Sequence, residues 1–218
     1  MTAMDTQLDS RVMELLCARL CHDLIGPIAA VNNGVELIRD FGDEMQGEAL
    51  ALIGESATKA SQLLQFYRVA FGSARAADGS GIEIEEARQR ALDALSSERI
   101  TIQWPDKEAE GDGEASRLAA KLILNLVLLG VEILPGAGKV CVEIKRGNPG
   151  QVQITAQKNG LSMSEDFAAV LNGEVLPNQL TPHTVQAFFT RFLANSVGGD
   201  IQVHCGNDVI TLVVEIYT

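Results

Sequence analysis

The chain has little of what several functions require. Its four cysteines, Cys17, Cys21, Cys141 and Cys205, form no CxxC pair. Each lies among apolar residues and reads as a buried, reduced thiol rather than a redox or metal-binding group. No apolar run approaches the roughly 20 residues that span a bilayer. The opening "MTAMDTQLDS" lacks a basic segment followed by an apolar one, so no secretory signal is expected and a cytoplasmic location is. Basic charge is also short: 17 Lys and Arg stand against 29 Asp and Glu, a formal net charge of −12. That argues against binding nucleic acid through its phosphates and against adhering to anionic membranes. No G-x-S-x-G elbow is present, which argues against a serine hydrolase.

What is there is an ordinary globular composition, 46% hydrophobic and 21% charged over 218 residues, enough for one large domain or two small ones. Residues from about 5 to 39 carry helical periodicity. "RDFGDE" (39–44) is a turn, with Gly42 as the helix stop and Asp43 as a candidate N-cap. A second helical stretch, about 44 to 71, places Leu50, Ile53, Ala57, Ala60, Leu64 and Tyr67 at three-four spacing. The two make an antiparallel hairpin. "GSARAADGSG" (72–81) reads as a linker, and "DKEAEGDGE" (106–114) as a solvated acidic loop. Beyond the linker the pattern predicts helices at about 83–96, 114–134, 164–171 and 182–197. Strands are expected at 99–104, 139–146 and 150–157, followed by "IQVHC" and "VITLVVEIY" around a "GND" turn. The fold class is α+β: helices on one face of a mixed sheet.

The informative stretch is "RLCHDLIGPIAA" (19–30). With His22 at zero and about 100° per residue, Met13, Leu16, Cys17, Leu20, Cys21, Leu24, Ile28, Val31, Val35 and Ile38 fall between about 120° and 260°. A two-helix hairpin cannot bury so wide a stripe on itself. Two hairpins packed through these faces form a four-helix bundle, so a homodimer is expected. His22 points away from that stripe. Around it lie Leu15, Ala18, Arg19, Ile25, Gly26, Ala29, Asn33 and Glu36, where small residues leave the ring clear and Leu15 and Ile25 offer apolar surface to a partner. Pro27 removes one helical N–H and should kink the helix near His22.

A neutral imidazole is a good nucleophile toward phosphorus, and the Asp23 carboxylate can orient it, hold its tautomer and raise its basicity. Cys17 and Cys21 turn about 100° to 140° away from His22, which argues against a shared metal. His183 and His204 are expected in structural roles.

"LCHDLIGPIAA" resembles the phospho-acceptor box, H-[DE]-x-x-x-P, of the dimerisation and phosphotransfer domain of sensor histidine kinases. "LILNLVLLGVEILPGAGKVCVEI" (122–144) is similar to their N-box helix and following strand. "ITAQKNGLSM" (154–163) stands where they have a D-x-G-x-G loop, and "HTVQAFFTRFLANSVGGDIQV" (183–203) resembles their last helix and strand. The resemblance implies residues 1–74 as a helical-hairpin dimerisation and phosphotransfer domain. Residues 75–218 would be a histidine-kinase ATPase-like (Bergerat) α/β sandwich. The departures are specific. Asn125 remains, but the second N-box asparagine reads Leu129, the adenine-reading aspartate reads Lys158, and the loop's second glycine reads Ser162. Only "LNGEVLPNQLTP" stands where the family has its glycine-rich lid. An ATP site needs a metal ligand, an adenine acceptor and a phosphate cradle. The second domain is therefore expected to bind neither nucleotide nor metal.

An acceptor histidine without an ATP site resembles the ChpT-type histidine phosphotransferases. By that resemblance His22 accepts a phosphoryl group from the phospho-aspartate of a hybrid kinase's receiver domain and passes it to response-regulator receivers. Asp23 stabilises the ring, and Leu15, Ala18, Arg19, Ile25, Gly26, Ala29 and Asn33 meet the partner. The chain binds no cofactor, and the receiver brings Mg²⁺. Gly26 stands where kinases usually have Asn or Thr, which speaks against a phosphatase. The alternatives are an active histidine kinase, a receiver phosphatase, and a scaffold that binds receivers without accepting phosphate.

Overall fold

The computed structural model describes residues 10–72, 82–105, 114–115, 117–145, 147 and 149–216. Helix α1 (Ser10–Phe41) and helix α2 (Gln46–Ala70) form the antiparallel hairpin, joined by a 3-10 turn at Gly42–Glu44. Gly42 ends α1 at φ +59, the left-handed conformation that glycine adopts most readily. Asp43 does not cap α2: the cap position is Met45, which makes no side-chain capping bond, because the 3-10 turn absorbs Asp43 and Glu44. The two helices approach most closely at Gly34. A Cβ there would lie 2.5 Å from Ile53 Cγ1 and 3.0 Å from the Ala49 carbonyl oxygen. Helix α1 runs through Pro27 without a break. The ring removes the N–H that would have met the Asp23 carbonyl.

The rest of the chain is a mixed sheet with helices on one face. Strands β2 (Ile100–Gln103), β4 (Gly138–Lys145), β5 (Gly150–Gln157), β7 (Val209–Ile216) and β6 (Ile201–Gly206) lie in that order. Only the β2–β4 pair is parallel. Two-residue strands β1 (Ile82–Glu83) and β3 (Glu114–Ala115) pair separately and were not expected from the pattern. Alternation sorts the strands' side chains. Val140, Val142, Val152, Ile154, Ala156, Ile210 and Leu212 face inward and are buried, while Gln151, Gln153, Thr155 and Thr211 stay half-exposed on the far face.

Helices α3 (Ile84–Leu95), α4 (Arg117–Ile133), α5 (Glu165–Leu171) and α6 (Val185–Ser196) complete the layer. Helix α4 is apolar nearly all round, as a helix enclosed on every side must be. It packs against β4 and β5 on one side and against α2, α3 and α6 on the others. Gly130 allows this approach, since a Cβ there would meet Ile154 Cγ2 at 2.7 Å. One core joins hairpin and sheet layer, running from Val12, Leu15 and Leu16 of α1 through Phe66 and Tyr67 of α2 to α4 and α6. The α+β architecture is as expected. Residues 1–9, most of the 72–81 linker and most of the acidic loop lie outside the described residues. Among the described residues no helix is long and apolar enough to cross a membrane.

The cysteine expectation fails. Cys17, Cys21 and Cys205 are exposed and Cys141 is only partly covered. Cys17 and Cys21 fall on the part of the α1 stripe that α2 does not cover, Cys205 lies on the edge strand β6, and Cys141 alternates onto the outer face of β4.

Candidate phosphoryl-acceptor site

Helix α1 is covered on two flanks and open on the rest of its circumference. With His22 again at zero, α2 takes the flank near 120° to 160°, where Leu16 and Gly34 are buried. The N-terminal half near 20° to 80°, with Val12 and Leu15, packs into the common core beside α6. Leu15 is therefore not a surface for a partner. It is 6% exposed, because the sheet layer folds back over the outer face of α1. Arg19 is half-buried for the same reason. The remaining sites behave as open surface: Ala18, Ile25, Gly26, Ala29 and Asn33 are exposed. A Cβ at Gly26 would meet no described atom within 4 Å.

His22 stands clear of all this, its side chain 88% exposed. Its Nδ1 lies 3.3 Å from Asp23 Oδ1. The other carboxylate oxygen, Oδ2, accepts a hydrogen bond from the Tyr67 hydroxyl and lies 3.8 Å from Arg19 Nε. Arg19 in turn pairs through Nη2 with Glu132 Oε1, in the last turn of α4. Tyr67 is fixed by stacking on Phe71, ring centroids 5.0 Å apart, and by an edge contact with Phe66 at 5.5 Å.

Burial governs the charges. The Tyr67 hydroxyl is pushed well above its ordinary range, first by burial and then by its bond to the Asp23 carboxylate, so it stays protonated and donates to that carboxylate while its oxygen accepts from Arg19. Burial lifts the Glu132 carboxyl to about 7, with Asp23 adding to the rise and Arg19 opposing it. Burial pulls Arg19 the other way, but Glu132, Tyr67 and Asp23 together outweigh it and hold the guanidinium firmly protonated.

Beside His22 opens a cavity of about 560 Å³. Ala18, Arg19 and Asp23 form its α1 wall and Glu132 its floor. Phe167 of α5 and Pro182–His183, ahead of α6, form the opposite wall. Sequence reasoning missed three residues around the site. Tyr67 was counted only as an apolar position of α2. His183 was assigned a structural role, yet it is exposed on the cavity wall. Glu132 carried a usable signal: it is the lone acid in a run of apolar residues.

The residues that resemble kinase nucleotide-site positions are buried or bonded within the fold. Asn125 is fully buried. Its Nδ2 donates to the carbonyls of Ala70 and Lys121, each at 2.7 Å, and its Oδ1 accepts from Gln186 Nε2 at 2.9 Å. Leu129 is fully buried. Lys158 Nζ donates to the Pro135 carbonyl at 2.6 Å. Among the described residues no three His, Cys, Asp or Glu side chains gather as metal ligands.

A family model described as the histidine phosphotransferase C-terminal domain matches residues 84–209. The protein phosphotransferase ChpT of Brucella abortus (strain 2308) is 33% identical over 196 residues, covering 87% of this chain and 88% of the relative. The solved structure of a bacterial phosphotransferase aligns at a TM-score of 0.80 and 31% identity, over 96% of this chain and 98% of that one.

Proposed function

The chain belongs to the histidine phosphotransferase family, and from that premise we propose that His22 is the phosphoryl carrier between two receiver domains. The observation that carries this is an exposed imidazole whose Nδ1 faces a carboxylate while Nε2 is open to solvent. The donor is the phospho-aspartate of a hybrid kinase's receiver. Nε2 attacks phosphorus in line, the N–P bond forms as the P–O bond to the receiver's aspartate breaks, and that carboxylate leaves. The positive charge that develops on the ring is spread through Nδ1–H toward Asp23 Oδ1. In the second half the carboxylate of a response-regulator receiver attacks the same phosphorus, and the imidazole leaves neutral. Receiver-bound Mg²⁺ would neutralise the phosphoryl oxygens, and this chain contributes no cofactor of its own.

The partner surface in this reading is the exposed row Ala18, Ile25, Gly26, Ala29 and Asn33; Leu15 is excluded by its burial. The protein acts as a homodimer. Met13, Ile28 and Val35 of α1, with Leu50 and Leu64 of α2, are each at least half exposed on the single chain. The α1 members lie on the side of the helix that α2 leaves open, between about 180° and 240° from His22. A second hairpin would cover them as a four-helix bundle. Residues 1–74 would then be the dimerisation and transfer domain and 75–218 the degenerate ATPase-like domain, a division supported by the family match beginning at 84. Transfer without ATP is supported by the engagement of Asn125 inside the core.

The test is radiolabel transfer. The protein is mixed with labelled ATP alone, or with a labelled phospho-receiver, and compared with His22→Ala. Acid-labile label arriving only from the receiver, and lost in the variant, is expected. Label arriving from ATP alone would make this a kinase, and free phosphate released without a labelled intermediate would make it a phosphatase.

A further inference from the structure

Asp23 has two carboxylate oxygens, and they are used differently. Oδ1 faces His22 Nδ1 at 3.3 Å. Oδ2 accepts from the Tyr67 hydroxyl of α2 and lies 3.8 Å from Arg19 Nε, one turn earlier on α1. Arg19 does not move freely, since its far end is paired with Glu132 of α4. Side-chain exposure in this pair is only 16% and 14%, so water screens it weakly. Tyr67 is pinned by two ring contacts. The exposed imidazole is thus connected to the buried sheet layer through a chain of charges, Glu132 to Arg19 to Asp23 to His22, with Tyr67 bracing its middle.

We propose that Glu132, Arg19 and Tyr67 are positioning residues: by holding Asp23 Oδ2 they aim Oδ1 at Nδ1, select the Nδ1–H tautomer of His22 and leave Nε2 unprotonated as the nucleophile. None of the three touches the phosphorus. Their effect is on the fraction of His22 that is ready to react, because a ring carrying its proton on Nε2 has no lone pair there to attack with. The proposal assigns the sheet layer a part in the chemistry, through one residue at the end of α4. It rests on the proposed transfer function only for the consequence of the tautomer. The tautomer itself can be read without any receiver.

The first measurement is therefore a long-range proton–nitrogen correlation spectrum of the full chain labelled with ¹⁵N-histidine, at about pH 8 where an ordinary imidazole is neutral. Three histidines contribute, and the signal missing from His22→Ala identifies His22. The wild type should show mainly the Nδ1–H form. Glu132→Gln and Tyr67→Phe should each raise the Nε2–H fraction at least threefold. In the transfer assay both variants should lower the maximal rate in proportion to the Nδ1–H fraction lost, at least about twofold, and leave the half-saturating phospho-receiver concentration within twofold. Tyr67→Phe removes a single oxygen, so it serves if Glu132→Gln does not fold. Variants that keep the wild-type tautomer overturn the proposal. So does a raised half-saturation with an unchanged maximal rate, which would make these docking residues. A wild type that holds the Nδ1–H form yet takes no label from the receiver sinks the transfer function and leaves the positioning intact.

Discussion

Glu132 should make the protein less stable as pH rises through neutrality. Its carboxyl has an ordinary value of 4.5 and is lifted to about 7 in the folded chain, by burial first. The groups facing it are Arg19 and Asp23 of α1, with His22 and His183 on the same cavity. A group whose folded value is raised gives stability that is complete below its unfolded value and is lost as pH climbs through the folded one. The whole difference, at about 1.4 kcal/mol per tenfold in proton affinity, is about 3 kcal/mol. Between about pH 5.5 and 8 the part lost is about 2 kcal/mol. Glu132→Gln keeps the shape and cannot ionise. Urea unfolding of wild type and variant, at fixed protein concentration and several pH values, isolates this one group in the difference between them. The wild type should lose about 2 kcal/mol relative to the variant over that interval. A flat difference would mean the carboxyl titrates normally. A difference that moves the other way would mean Arg19 outweighs burial and holds Glu132 ionised, and the reasoning would be refuted.

Gly34→Ala drives a methyl group into Ile53 and the Ala49 carbonyl, and should cost about 1–3 kcal/mol by thermal or urea unfolding. Ile28→Glu places a charge on the face proposed to pair hairpins; light scattering should show a dimer for the wild type and a monomer for the variant, with the helical content of each chain kept. Millimolar Mg-ATP should shift the melting temperature by less than about 1 °C, since liganding through Asn125 would strand the Ala70 carbonyl and Gln186, at about 1–3 kcal/mol for each buried group. A clear upward shift would restore the nucleotide site.

The elements with a strong period were legible from the residues: the hairpin, the apolar α4, the Phe-rich α6 and the paired strands lie within a few residues of where their patterns place them. The two-residue strands β1 and β3 were not, because two residues carry no period. His22 and Asp23 could be read together because they are neighbours in sequence. Tyr67 and Glu132 could not, because they reach the site only through the packing of α2 and α4 on α1. Leu15 failed for the complementary reason. A helical wheel shows which residues share a face of α1 but not what another domain lays over that face. The cysteines were misread on local company alone: apolar neighbours in sequence do not bury a residue on an edge strand or on the open side of a stripe.

The same packing gives a structural use to the residues whose sequence resembles the kinase N-box. Asn125 closes the end of α2 by donating to the Ala70 carbonyl. One turn earlier Lys121 donates to the carbonyls of Phe71 and Gly72 at 3.3 and 2.7 Å and lies over the Phe189 ring. These carbonyls have no partner within α2, so α4 supplies what the helix end needs. Helix α4 grips the hairpin at both of its ends, through Lys121 and Asn125 near its start and Glu132 at its finish. The grip at Glu132 is the costly one, since it buries an acid that ionises only near neutrality. A layer needed only for folding would do better with an apolar residue there. The acid at that position is understandable if what it holds, through Arg19 and Asp23, is the orientation of the imidazole.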